Sequence, residues 1–204
     1  MTTVHLIRHG THGLLAHTLA GRMSGVRLSE AGQEQSRLLA ERLAGRGGIG
    51  GIEAVYSSPL ERCVETAAPI ASRLNLEVQV SEALIELDFG DWTGRTFESI
   101  KGDPLWPLFN TSRSLTRPPN GELMREAQAR VVYFIDELRG RHGDEAAIVL
   151  VSHGDVIRSA LLHYLGMPLD FWLRIEVGPA SISTVEVRPW GPRVVRLNEP
   201  AGGG

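Results

Sequence analysis

Three apolar, β-rich runs each stop abruptly at a turn of small residues, and a histidine or arginine lies in or just past each turn. Thr3-Val4-His5-Leu6-Ile7-Arg8 runs into His9-Gly10. Ile52-Glu53-Ala54-Val55-Tyr56 runs into Ser57-Ser58-Pro59, with Arg62 a turn further on. Ala146 to Val151 runs into Ser152-His153-Gly154. Apolar runs this short, bounded by turn residues, read as buried strands. Helical patterns separate them. Ser29 reads as an N-cap with Glu30 in the first turn, opening a helix over 29–44 that buries Ala31, Leu38, Leu39 and Leu43. Pro59 is placed to open a second helix reaching Leu74. Leu123, Ala127, Val131, Phe134 and Leu138 share one face of a helix over 122–138, and another follows from Asp155 to Leu165. Leu76 to Val80 reads as a third short strand, and Ser181 to Val187 alternates like an antiparallel or edge strand. Strands alternating with helices predict an α/β fold on a mainly parallel sheet.

No repeat or linker divides the 204 residues, which predicts a single domain over 1–204. The stretch from 81 to 120 is rich in Pro, Trp and Gly, and a loop of that length in a compact domain marks a cap insertion, here about 86–120. The glycine-rich run from Gly45 to Gly51 lacks the Gly-Lys-Ser/Thr ending of a phosphate loop and reads as a flexible connector. Ala201 to Gly204 is expected to fray.

Composition narrows the function. With 42% hydrophobic and 22% charged residues the chain has the means to bury a core. No stretch approaches the ~18 consecutive apolar residues of a membrane span. The first residues lack the basic and apolar regions of a secretory signal. A net charge of −3 argues against nucleic-acid or anionic-membrane partners. The single Cys63 fits a reducing compartment, so a cytoplasmic location is expected. Of the 21 basic residues only Lys101 is lysine. Arginine suits bidentate contact with phosphate or carboxylate, but codon bias explains the total as well, so only particular arginines carry an argument.

The carboxyl ends of strands in a parallel sheet share one edge, where ligands bind. Arg8, His9, Arg62 and His153 fall at or just past three such ends, and the cap carries Glu86 and Asp88. Two imidazoles and two guanidiniums at one edge suit a dianionic phosphoryl group. A neutral imidazole can also attack phosphorus and hold the phosphoryl group transiently, with a buried carboxylic acid protonating the leaving oxygen. Each motif alone is weak: a histidine in a turn is often only a hydrogen-bonded turn residue, Glu86 alone reads as a solvated carboxylate, and an arginine on a helix usually faces water. The set, in this order, carries the reading.

That set resembles the histidine phosphatase superfamily in its phosphoglycerate-mutase-like branch: Arg8-His9-Gly10; Leu28-Ser29-Glu30-Ala31-Gly32; Ser57-Ser58-Pro59-Leu60-Glu61-Arg62; Glu86 within Leu84 to Gly94; and Val151-Ser152-His153-Gly154. The resemblance runs from about residue 3 to 165. It implies a three-layer α/β/α sandwich, no metal or other cofactor, His9 as the nucleophile that becomes phosphohistidine, and Arg8, Arg62 and His153 as the phosphate pocket, with Gly154 beside them. It also implies Glu86, rather than Asp88, as the acid. Two departures stand out. Leu15 occupies a place where an asparagine is common, and His12 replaces a small hydroxyl residue, more as filler than as a substrate contact. Arg22 is expected either to reach the distal part of the substrate or to lie on a surface loop.

The function expected is a phosphatase acting on a small phosphorylated metabolite. A phosphoglycerate mutase is the alternative, disfavoured because the cap is short. A catalytically weak phosphate-binding module on the same fold is a second alternative, motivated by Thr11 to Leu15. A metal hydrolase built on His5, His9, His12 and His17 lacks helical metal-ligand spacing. Trp92, Trp106, Phe109, Arg113 and Arg117 are the cap residues placed to choose the substrate. Pairing of the alternating C-terminal strand with a second copy would give a homodimer.

Overall fold

The computed structural model describes residues 1–44 and 51–202. In chain order the elements are β1 (Thr2–Arg8), α1 (Glu30–Ala44), β2 (Ile52–Ser57), α2 (Glu61–Leu74), β3 (Val78–Val80), the short helices α3 (Phe97–Ile100) and α4 (Leu105–Thr111), α5 (Met124–His142), β4 (Ala147–Ser152), α6 (Gly154–Tyr164), β5 (Ile182–Arg188) and β6 (Gly191–Glu199). The six strands form one sheet in the order β3-β2-β4-β1-β5-β6. Strands β3, β2, β4 and β1 run parallel, and β5 and β6 extend the sheet antiparallel to their neighbours.

Period-two alternation of apolar side chains builds the three layers. In β4 every residue is buried, as expected of a central parallel strand covered on both faces. Its Ile148 and Leu150 point to one side with Val4 and Leu6 of β1, where Val131, Phe134, Ile135 and Leu138 of α5 and Ile157 and Leu161 of α6 meet them. Val149 and Val151 point to the other side with Ile7, where Leu39 and Leu43 of α1 and Cys63, Ala67, Ile70 and Ala71 of α2 cover them. Each such side chain removed from water contributes about 1.5–3 kcal/mol. The cap has its own small core of Leu87, Phe89, Trp92, Ile100 and Phe109.

Several expectations shift. In α1, Ala31 is exposed and Leu38 only half-buried, whereas Gly32 and Ser36 are buried. Gly32 faces the loop after β1, where a Cβ would come within 2.1 Å of the Thr11 carbonyl oxygen. Pro59 lies before Leu60, the cap of α2, so it shapes the approach instead of occupying the first helical position. β3 is shorter than predicted. β5 is antiparallel but interior, with β6, unrecognised in the sequence, at the edge. Ala201 does not fray: it is buried with Leu39 and Leu43. Gly203 and Gly204, and the glycine run from Gly45 to Gly50, lie outside the described residues.

Candidate active site

Strand register brings the two histidines together. Arg8 of β1 lies opposite Ser152 of β4, so His9 and His153, one residue further along adjacent parallel strands, face each other with ring centroids 5.2 Å apart. β2 ends beside them, and Arg62, the second residue of α2, points back, its side chain almost wholly buried. Gly154 opens α6, and its ideal Cβ would lie 3.4 Å from the Arg8 guanidinium, in van der Waals contact with it. The N-terminal end of α6 adds partial positive charge at the same spot.

The nitrogen atoms sort into occupied and free. His9 Nδ1 donates to the Gly10 carbonyl at 2.8 Å, which leaves the lone pair on Nε2. Burial, then Arg62 and Arg8, hold the His9 imidazole well below its ordinary pKa, so it is neutral in the empty site. His153 is neutral for the same leading reasons, burial and then Arg62. Its Nδ1 accepts from an Arg62 nitrogen at 3.2 Å and its Nε2 donates to Ser58 Oγ at 2.8 Å. Arg62 also donates to the Gly21 carbonyl at 2.7 Å, while its Nε and second terminal nitrogen are buried without a partner. Arg8 donates to the Val177 carbonyl at 2.7 Å, and its Nε likewise has no partner. Buried guanidinium N–H groups without acceptors are costly. Three such donors, from Arg8 and Arg62, gather beside a neutral imidazole.

Glu86 closes the cleft from the cap side, its Oε1 accepting from the Leu87 N–H at 2.8 Å and its Oε2 3.9 Å from His153 Nδ1. Burial, then the Asp155 carboxylate, raise its carboxyl to about 7 against the pull of Arg62. Asp88 does not line the cleft: it accepts from the Gly90 N–H at 2.8 Å and pairs with Arg22, so it shapes the loop. Gly90 has φ +52°, and a Cβ there would meet the Pro119 carbonyl oxygen at 2.0 Å, which only glycine avoids.

Arg8, His9, Arg62, Glu86 and Gly154 line one cleft; His153 stands directly beneath. The cleft holds about 140 Å³, less than the roughly 300–1,000 Å³ of pockets for drug-sized ligands. Arg22 does not line it. Its guanidinium donates to the Glu86 carbonyl at 2.8 Å and to Glu122 at 2.9 Å, making it a strut behind the acid loop. His12, expected as filler, lines the cleft with its ring 5.2 Å from that of His9 and its Nδ1 unpartnered. His5, by contrast, lies in the strand bonded to Thr184 at 3.0 Å. Among the described residues no group of three His, Cys, Asp or Glu side chains is placed to hold a metal ion.

A family model described as "Histidine phosphatase superfamily (branch 1)" matches residues 4–200. The chain belongs to the histidine phosphatase superfamily. Among curated relatives it is 36% identical over 204 residues to a bifunctional protein of Mycobacterium tuberculosis, covering 98% of this chain and 54% of that one. It thus spans about half the length of the first curated relatives it matches. It is 31% identical over 177 residues to phosphoserine phosphatase 1 of Hydrogenobacter thermophilus, covering 84% of this chain and 80% of the relative. Among solved structures, Entamoeba histolytica phosphoserine phosphatase superposes with a TM-score of 0.83 at 27% identity, over 97% of both chains. Mycobacterial glucosyl-3-phosphoglycerate phosphatase superposes with a TM-score of 0.85 at 25% identity, over 96% of this chain and 98% of that one.

Four of the five histidine phosphatase motifs put residues on the cleft, and Leu28 to Gly32 does not; the sequence did not point to Asp155 and Arg158, which line it too. Asp155 accepts from Arg113 at 2.8 Å and from Arg158 at 3.3 Å. Burial pulls its carboxyl up, but Arg113 and then Arg158 outweigh that and hold it below the usual range. A signal was available: a helix that starts at a strand end places its first five or so residues at the ligand edge. The cap residues divide differently from expectation. Trp92 and Phe109 are wholly buried, Arg113 is nearly so, and Arg117 pairs with Glu126 on the surface. No helix among the described residues is long and apolar enough to cross a membrane.

Proposed function

We propose that this chain hydrolyses a small phosphomonoester through a phosphohistidine on His9, without a metal, as one domain over 1–204 with its cap at about 86–120. The observation that carries the reading is the unpartnered N–H groups of Arg62 and Arg8 beside a neutral His9 whose Nε2 keeps its lone pair.

In the first step His9 Nε2 forms a bond to phosphorus as the phosphorus–oxygen ester bond breaks. The Glu86 proton goes to the departing alkoxide oxygen. Arg8 and Arg62 receive the equatorial oxygens and supply the positive charge that a metal provides elsewhere, and His153 becomes a third donor by gaining a proton at Nδ1 when the phosphoryl dianion arrives. In the second step the Glu86 carboxylate takes a proton from water, the water oxygen bonds phosphorus, and the nitrogen–phosphorus bond breaks to release inorganic phosphate. A carboxyl raised toward neutrality suits both directions of that proton transfer. Hydrolysis is favoured over mutase chemistry because the cap is short and Ala16, at the cleft rim, is exposed. The substrates in the relatives' names, phosphoserine and glucosyl-3-phosphoglycerate, are the first esters to try. A cytoplasmic location belongs to the same proposal.

The decisive experiment is phosphate release from p-nitrophenyl phosphate in the presence of a chelator, with acid-stable and acid-labile label followed after quenching. The wild type is expected to turn over and to carry acid-labile phosphate on His9, and His9→Ala to do neither. Turnover retained in His9→Ala would end the proposal.

A further inference from the structure

The cleft does not end at the phosphoryl site. A second cavity of about 220 Å³ adjoins it, and Leu19, Phe89, Phe97 and Asp155 line both. Its remaining wall is Trp106, Asn110, Arg113 and Trp172. This chamber is larger than the cleft at the phosphoryl end, and four aromatic rings face it.

The polar groups of the chamber are mostly committed. The Trp172 indole N–H donates to the Asn110 carbonyl at 3.1 Å, and the Asn110 amide donates to the Trp106 carbonyl at 2.7 Å. Arg113 donates to Asp155 at 2.8 Å, and its guanidinium is sandwiched between the Phe109 and Trp172 rings, 4.0 and 3.7 Å from their centroids. Arg158 bonds Asp155 at 3.3 Å and the Ile175 carbonyl at 3.1 Å. The two cations nearest the chamber therefore both hold the one Asp155 carboxylate. An anionic group entering here would lose its water next to Asp155 and would have to compete with that carboxylate for the same two guanidiniums, which is unfavourable. Arg113 Nε, buried and without a partner, is left to meet a single neutral acceptor. An apolar ring would lose nothing and would cover aromatic surface.

We propose that the preferred substrate is a phosphomonoester whose leaving alcohol carries an apolar, ring-sized group seated in this aromatic chamber, rather than a second anionic group. The inference rests on the phosphatase reading, since it takes the phosphoryl group to lie against His9. It separates this chain from an enzyme for phosphoserine, whose leaving alcohol carries a carboxylate and an ammonium.

The test uses matched esters. 2-Phenylethyl phosphate and ethyl phosphate both leave as primary alcohols, so their chemistry is alike and only the distal group differs. The expected kcat/KM for the phenylethyl ester exceeds that for ethyl phosphate by at least about tenfold, since even one methylene in an apolar pocket is worth roughly 10–200-fold. It is also expected to exceed that for phosphoserine. Trp106→Ala, which removes a ring, and Asn110→Trp, which fills the chamber, should each collapse the phenylethyl-to-ethyl ratio toward one. The second variant covers the case in which the first disturbs the cap. Calorimetric binding of 3-phenylpropylphosphonate against propylphosphonate, both unable to be hydrolysed, reads the chamber without turnover. A binding preference with no turnover of any ester would uphold the chamber and sink the phosphatase reading. Turnover with equal ratios, or a preference for phosphoserine, would overturn the chamber proposal and leave the phosphatase standing.

Discussion

In the floor of the cleft Arg62 keeps two buried nitrogens without partners, whereas behind the acid loop Arg22 and Arg130 are tied on several sides. Both regions are built on arginine, and both touch the elements that hold Glu86. The difference lies in who completes the bonds. The loop is complete in itself: Glu122 takes both guanidiniums, and they reach the carbonyls of Glu86 and Ala83. The floor is incomplete, and its missing acceptors outline a ligand. Several free donors gathered at one imidazole point to a ligand, whereas a lone one, as on Arg113 or Arg139, does not, although the residue type is the same.

Mutations sharpen that contrast. The largest expected effect is on scaffold. Arg113→Ala leaves Asp155 buried with one cation removed and should cost about 3–5 kcal/mol of stability, read as a shift of the urea midpoint. A midpoint close to that of the wild type would show that Arg113 belongs with the free arginines. Next comes Arg62→Ala, which should lower kcat by about 10²–10³, or 2.7–4 kcal/mol of transition-state stabilisation. Its urea midpoint should stay near that of the wild type, because only two of its contacts are made in the empty site. If stability falls as far as in Arg113→Ala, the distinction between floor and scaffold breaks.

Glu86→Gln separates the two roles of the loop. Loss of a general acid is worth about 10²–10⁴ in rate, and the loss should appear on alkyl phosphates far more than on p-nitrophenyl phosphate. The first step needs Glu86 protonated in the free enzyme, so kcat/KM on alkyl esters should fall as pH rises through about 7. His9 itself contributes no acidic decline near the ordinary histidine value, because it is already neutral well below it. The Gln variant should lose the alkaline decline, and its persistence would move the acid to another group. The smallest effect belongs to Arg22→Ala, about 1–2 kcal/mol of stability from lost hydrogen bonds, since Arg130 still braces the loop. Its activity loss should follow the Glu86 pattern, greater on alkyl than on aryl esters. An equal loss on both would mean that Arg22 acts on the phosphoryl end.

The sequence reveals most of the floor and little of the loop. His9, Arg62 and His153 are legible because each follows an apolar strand or opens a helix, and the sheet brings strand ends to one edge whatever else the chain does. Arg22 is not legible because its partners, Glu86 and Glu122, are 64 and 100 residues away and meet it only through the fold of the cap. Asp155 and Arg158 fall between: their place one turn into α6 follows from the strand before it, but their pairing with Arg113 does not. β6 escapes because its polar residues face water at the sheet edge and leave no clean alternation. Ala201 escapes because its burial depends on α1, far away in sequence.

The contact between Gly10 and Gly32 bears on how the attacking nitrogen is aimed. A Cβ on Gly10 would come within 2.7 Å of the Gly32 carbonyl oxygen, so the two main chains touch with nothing between them. The first helix is thus a hard stop against which the nucleophile's own backbone rests. Its axial position sets the reach of the imidazole, and a single methyl group at either site would act as a shim that retunes the throw of the reaction.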